Sequence, residues 1–158
     1  HVAPGAPLME YNTDEDIAAA QVVFNHSSLR LWQIPRDAYR QTTVSLAELE
    51  VGLGCGGALG AYLAGKLGET FAKASQRLGS AGEAYVMGDS PLVLVTALQT
   101  TFEPDTASSF HRELPCPTLN VDGSYTANPA GRPIRVYNQL DNRTMFEDFF
   151  AKLELHAR

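Results

Sequence analysis

The chain of 158 residues, 44% hydrophobic and 19% charged, is long enough to bury one compact core and short enough not to need two domains. Its apolar, charged and aromatic contents match those of globular proteins, which excludes a disordered chain. A net charge of −6 without a stripe of Lys or Arg argues against nucleic acid or an anionic membrane as main partner. No run of about 18 apolar residues is present to span a bilayer.

In chain order, His1 to Leu8 is a Pro- and Gly-containing approach loop. His1-Val2-Ala3-Pro4-Gly5 lacks the charged-then-apolar pattern of a signal peptide, so a cytoplasmic location is the default expectation. His1 is not a natural start residue, and removal of an upstream segment is expected. Asn12 or Thr13 can cap a first helix, with Asp14, Glu15 and Asp16 complementing its positive end. Ile17, Ala20, Gln21 and Phe24 continue it at helical spacing, and 25–28 end it. Leu29 to Ile34 alternates as a strand that Pro35 closes.

Ser45 and Glu48 carry the capping-box pattern of a second helix. The run Gly52-Leu53-Gly54-Cys55-Gly56-Gly57 predicts either a break or close packing of two backbones, since each Gly costs up to ~1 kcal/mol against Ala in a helix. It is not a dinucleotide fingerprint: a helix-like segment precedes it, and no Lys-Ser or Lys-Thr follows to hold phosphate. Ala58 to Arg77 is expected to be helical, with interruptions near Gly65 or Gly68. Glu83 to Met87 leads into Gly88-Asp89-Ser90-Pro91, where Pro91 suits a first helical turn and Leu92 to Leu98 is apolar enough to be wholly buried.

Thr101 to Pro117 reads as a polar loop. Strands Thr118 to Val121 and Ile134 to Tyr137 flank a turn-rich stretch and form a hairpin, and Asp141 caps a last helix striped with Met145, Phe146, Phe149, Phe150 and Leu153. Cys55 and Cys116 lie in no metal or redox motif; two buried free thiols are expected, with one disulfide as the alternative. His26 and His111 are expected at the surface.

Two blocks carry chemistry. Glu10-Tyr11-Asn12 with its acidic helix start and Ala18-Ala19-Ala20-Gln21-Val22-Val23-Phe24 resembles the "Glu-Phe-Asn, Asp-Pro-Glu-Ala-Ala, Val-Phe" block of inosine-uridine-preferring nucleoside hydrolases. Leu31 to Asp37 is similar to that family's next strand, ending in "Pro-Leu-Asp", and Gly88-Asp89-Ser90-Pro91-Leu92 to its "His-Asp-x-Leu". Arg132 to Tyr137 and the Phe-rich helix resemble its last hairpin and helix. Most of the chain is thereby matched, but only to the C-terminal half of a family member. In isolation, Asn12 as a helix cap with a solvated Glu10, and Asp89 as a cap ahead of Pro91, are the simpler readings.

The resemblance implies a single α/β domain over 1–158, the C-terminal portion of a Rossmann-like nucleoside hydrolase fold with a C-terminal β-hairpin and docking helix, and a partial copy of a longer chain. It implies hydrolysis of the N-glycosidic bond of a ribonucleoside. Glu10 and Asn12 would point from one face of an extended segment at ribose hydroxyls, and Asp89 would bind both ribose and Ca²⁺. The family's N-terminal Asp-x-Asp-x-x-x-Asp-Asp cluster is absent, because Ala18-Ala19-Ala20-Gln21 follows Asp14-Glu15-Asp16. Gly88 replaces a histidine that protonates the leaving base in purine-handling members. The chain alone is therefore expected to be inactive. The alternatives are a non-catalytic sugar- or nucleoside-binding relative, or a subunit that homo-oligomerises or joins an N-terminal half through uncovered sheet edges.

Overall fold

The computed structural model describes residues 10–79, 82–98 and 109–158. The approach loop before Glu10, residues 80–81 and the segment 99–108 lie outside the described residues. The protein is a mixed α/β chain with small sheets, grouped into two compact units. The first comprises residues 1–38 and 108–139; the second, 39–107 and 140–158.

In the first unit the chain enters helix α1 (Tyr11–Glu15), breaks at Asp16, and resumes as α2 (Ile17–Gln21) and a π-helical turn (Val22–His26). Neither Asn12 nor Thr13 is the cap. Asp16 takes that role, its carboxylate accepting from Ala19 N at 2.9 Å, while Glu10 caps α1 with its backbone only. The strand expected over Leu29 to Ile34 is reduced to β1 (Trp32–Gln33), which runs parallel to the central strand β7 (Pro133–Gln139). Antiparallel β4 (Phe110–Pro115) completes a sheet of order β1-β7-β4. A six-residue strand thus stands where a polar loop was expected. Asp122-Gly123 does turn a hairpin, with Gly123 at φ +77°, but it joins β5 (Thr118–Leu119) to β6 (Tyr125–Thr126). Ile134 to Tyr137 pairs instead with β4 and β1.

Two side chains tie this unit together. Asn25 offers its amide to Leu119 as a strand would, donating to the carbonyl at 2.9 Å and accepting from the N–H at 2.9 Å. Arg132 donates to the carbonyls of Val23 and Phe24, each at 2.8 Å, and of Leu29 at 3.1 Å. Asn25 satisfies backbone groups of β5, and Arg132 satisfies carbonyls that the irregular π turn and its exit leave without ladder partners. Cys116 is buried beside Arg132, and Cys55, in the second unit, is exposed; both are free thiols. His26 is exposed, whereas His111 lies half-buried on β4 against the Tyr137 ring.

In the second unit, strands β2 (Thr43–Ser45) and β3 (Ala84–Val86) pair antiparallel beside the helices α4 (Leu46–Gly54), α5 (Gly57–Leu78), α6 (Pro91–Ala97) and α7 (Asn142–Ala157). A short helix, α3 (Arg36–Tyr39), lies where the chain passes from one unit to the next. Ser45 caps α4 through Glu48 N at 3.1 Å, and Asp141 caps α7 through Thr144 N at 3.0 Å. The Gly-rich run both breaks and packs closely. The chain turns at Cys55 and Gly56, Gly57 has φ +56°, and a Cβ on Gly60 would overlap the Leu53 carbonyl oxygen. Helix α5 is continuous through Gly65 and Gly68, where a Cβ would meet nothing within 4 Å. Leu49, Leu53, Leu94, Val95, Met145, Phe146 and Leu153 are buried as this unit's core. Helix α6 is two-sided rather than wholly buried, since Leu92 and Val93 are each 54% exposed. Among the described residues no helix is long and apolar enough to cross a membrane.

Candidate functional site

Asp89 is placed by backbone pairing at its N-terminal side. Buried Thr42 extends the β2–β3 ladder: Met87 N donates to Thr42 O at 3.0 Å, and Thr42 Oγ1 donates to Met87 O at 3.1 Å. The chain then turns through Gly88-Asp89-Ser90, with Ser90 N donating to Met87 O at 3.2 Å, and enters α6 at Pro91. A strand–turn–helix of this kind displays the turn side chains at the helix mouth. Asp89 is exposed, and the cap position of α6 belongs to Ser90, which makes no side-chain cap bond. The Asp89 carboxylate is therefore not spent on capping. Among the described residues it has no hydrogen-bond or ion-pair partner.

This turn borders a cleft of about 310 Å³ within the second unit. Its apolar side includes Leu53, Leu67, Met87 and Phe149; Lys66, Thr70 and Ser90 supply polar groups beside Asp89. Lys66 is held by Glu69, its Nζ at 2.9 and 3.1 Å from the two carboxylate oxygens. Thr70 Oγ1 donates to Lys66 O at 3.0 Å and keeps its lone pairs. Gly88 has a local reason: a Cβ there would come within 3.1 Å of the Tyr39 ring. Any larger side chain at this position, histidine included, requires Tyr39 to move.

Glu10 and Asn12 belong to the first unit, and Asp89 to the second. The extended segment expected for Glu10-Tyr11-Asn12 is a helix start: Glu10 is extended (φ −71°, ψ 142°), and Asn12 already lies in the first turn of α1. Residues two apart entering a helix do not share a face as they would on a strand. Asn12 is exposed and Glu10 half-buried. Glu10 acts electrostatically on Tyr125. Burial holds the Tyr125 phenol above its ordinary value, and the charge of Glu10 raises it further; a hydrogen bond from Gln33 acts the other way. That bond spans 3.4 Å, and the Tyr125 ring leans on Phe24 with centroids 5.6 Å apart.

Sequence reasoning missed Thr70, Ser90, Tyr39 and Tyr125. The α5 residues could have been found, because Leu63, Lys66, Leu67 and Thr70 recur at the spacing of one helix face. Tyr39 and Tyr125 reach their neighbours through tertiary packing and leave no local signal. Asp14 and Glu15 stay on α1, and Asp16 on the cap, rather than joining any metal cluster. Among the described residues no three His, Cys, Asp or Glu side chains gather where a metal ion could be held. A Ca²⁺ ion takes six to eight oxygen ligands, so Asp89 with nearby hydroxyls does not fit one. No protein-family model matches the chain, and no curated protein is similar to it in sequence.

Proposed function

We propose that this protein is nucleoside hydrolase-like and that its parent reaction is hydrolysis of a ribonucleoside to base and ribose. The observation that carries the reading is the unpartnered Asp89 carboxylate at a cleft with hydroxyls on one side and an apolar wall on the other. A carboxylate accepts from the vicinal hydroxyls of a ribose, and an apolar wall suits a planar base. In the hydrolysis, positive charge develops on the ribosyl ring, and a carboxylate fixed beside the sugar, Asp89, stabilises it more than it stabilises the neutral ground state.

The Ca²⁺ that the resemblance implies would orient the attacking water. The described donor set does not fit it, so its remaining carboxylates are proposed to come from an associated Asp-rich segment, such as the N-terminal half of a family member. The same shortage of carboxylates favours a second reading, in which the chain binds a sugar or nucleoside without catalysis.

Thermal shift with Ca²⁺, ribose, inosine and uridine, followed by a reducing-sugar assay, separates the two. Sugar release supports the hydrolase; stabilisation by ribose alone supports the binder. A ligand at a hundred times its Kd stabilises by about 2.7 kcal/mol, a readily measured shift. Asp89→Ala should remove the ribose response, and an unchanged response in that variant would sink the assignment of the site.

A further inference from the structure

The first unit holds a separate cleft of about 270 Å³, whose polar lining is Arg30, Trp32, Glu113 and Arg135. Sheet register explains how three of these meet. Trp32 on β1 is paired with Arg135 on β7, and Arg135 is paired with Glu113 on β4. Residues directly opposite in a ladder project from the same face, so an aromatic ring, a cation and a carboxylate form one row across the sheet.

Arg135 faces a choice of neighbours along that row. Its guanidinium carbon lies 4.8 Å over the Trp32 ring, and no ion pair with Glu113 forms. The ion pairs among the described residues join Lys66–Glu69, Arg143–Glu147, Lys152–Asp148 and Arg158–Glu154, all within helices. Neither Arg30 nor Arg135 takes part. A guanidinium held over a ring by its carbon keeps N–H groups available for a planar or tetrahedral anion. The indole nitrogen is itself buried, so the ring serves as a platform rather than a donor. Two unpaired guanidiniums against one carboxylate leave the cleft with an excess of donors and of positive charge, on a chain that is net negative.

We propose that the cleft of Arg30, Trp32 and Arg135 binds a small oxyanion, a phosphate or a carboxylate. Arg135 grips it bidentately, Arg30 closes on it from the neighbouring loop, and Glu113 limits affinity by its like charge. The proposal stands apart from the nucleoside reading, since it uses none of Glu10, Asn12 or Asp89.

Trp32 is the chain's single tryptophan and reports on the cleft directly. Its fluorescence is followed while sodium phosphate, and in a second arm sodium acetate, is titrated at ionic strength held constant with NaCl. A saturable change in either arm is expected, and saturation by phosphate alone names a phosphoryl group as the ligand chemistry. Arg30→Gln, on an exposed side chain, should weaken binding about tenfold, as loss of one charge-assisted contact does. Arg135→Lys keeps the charge but loses the fork, and should weaken it as well. Glu113→Gln should tighten it. A response that NaCl reproduces, or an affinity the same in Arg30→Gln and the parent protein, overturns the proposal.

Discussion

At the scale of single residues, the capping role that local sequence gives to Asn12 falls to Asp16. Asn12 stands ahead of a helical pattern, yet the helix already begins at Tyr11 and restarts at Asp16, whose carboxylate bonds Ala19 N. Asp16→Ala should therefore cost about 1 kcal/mol, the usual loss for an N-cap, measured as a lower urea midpoint with an unchanged slope. Asn12→Ala should stay within about 0.5 kcal/mol of the parent, as exposed substitutions do. Equal losses of stability in the two would return the cap to Asn12. Tyr125 gives a second test, in alkali. Its phenol is raised in the folded state, first by burial and then by the charge of Glu10. The unfolded chain then gives up this proton first, so it binds fewer protons than the native state once pH passes about 10, and stability falls as pH rises. Below that pH both states hold the proton and the term vanishes. Tyr125→Phe should flatten the fall of Tm as pH rises above about 10, and Glu10→Gln should bring the phenol's titration, followed by ultraviolet absorbance, to lower pH. An unmoved titration in Glu10→Gln would show that the two groups do not interact.

At the scale of elements, glycines that look alike in sequence behave oppositely because packing differs. At Gly60 a Cβ would overlap the Leu53 carbonyl across the α4–α5 turn, whereas at Gly65 it would enter open space. Gly60→Ala should destabilise by about 1–3 kcal/mol, the cost of overpacking against backbone that cannot swing aside. Gly65→Ala should stabilise by about 0.5–1 kcal/mol through helix propensity alone. Both are read as shifts of the urea midpoint, and a stabilised Gly60→Ala would mean that α4 and α5 do not touch there. The same contrast explains what could be read from sequence. Helices α4 and α7 and the start of α6 were legible because their signals are local: Ser45 bonds Glu48, Asp141 bonds Thr144, and Pro91 sits in a first turn. The β4–β7 pairing was not. Phe110 to Pro115 has four of its six residues polar or proline and is largely exposed, and only its non-local partner makes it a strand. The Gly88-Asp89-Ser90-Pro91 turn was legible as chemistry, but the Tyr39 ring that crowds position 88 was not, because nothing local encodes that contact.

At the scale of the whole molecule, each unit is discontinuous in sequence, and each is closed by its own contacts. The first depends on joining the helical segment near its start to strands far along the chain, and Arg132 makes that join with one guanidinium on three carbonyls. Hydrogen bonds from a charged donor contribute about 1.5–3 kcal/mol each, net of the bonds to water they replace. Val23 and Phe24 keep weaker acceptor roles toward Ser27 and Cys116, so Arg132→Met should cost on the order of 3 kcal/mol rather than the full sum. The loss should be unevenly reported. Trp32, the only tryptophan, lies in the first unit, while α4, α5 and α7, which dominate the helical signal, lie in the second. In urea, the fluorescence midpoint of Arg132→Met should fall well below that of the parent, and the far-ultraviolet dichroism midpoint should fall less. Two probes that move apart mark two cooperative bodies, because a single all-or-none transition requires them to coincide. If both midpoints drop together by the same amount, the chain unfolds as one body, and the cores of the two units are coupled through its folding.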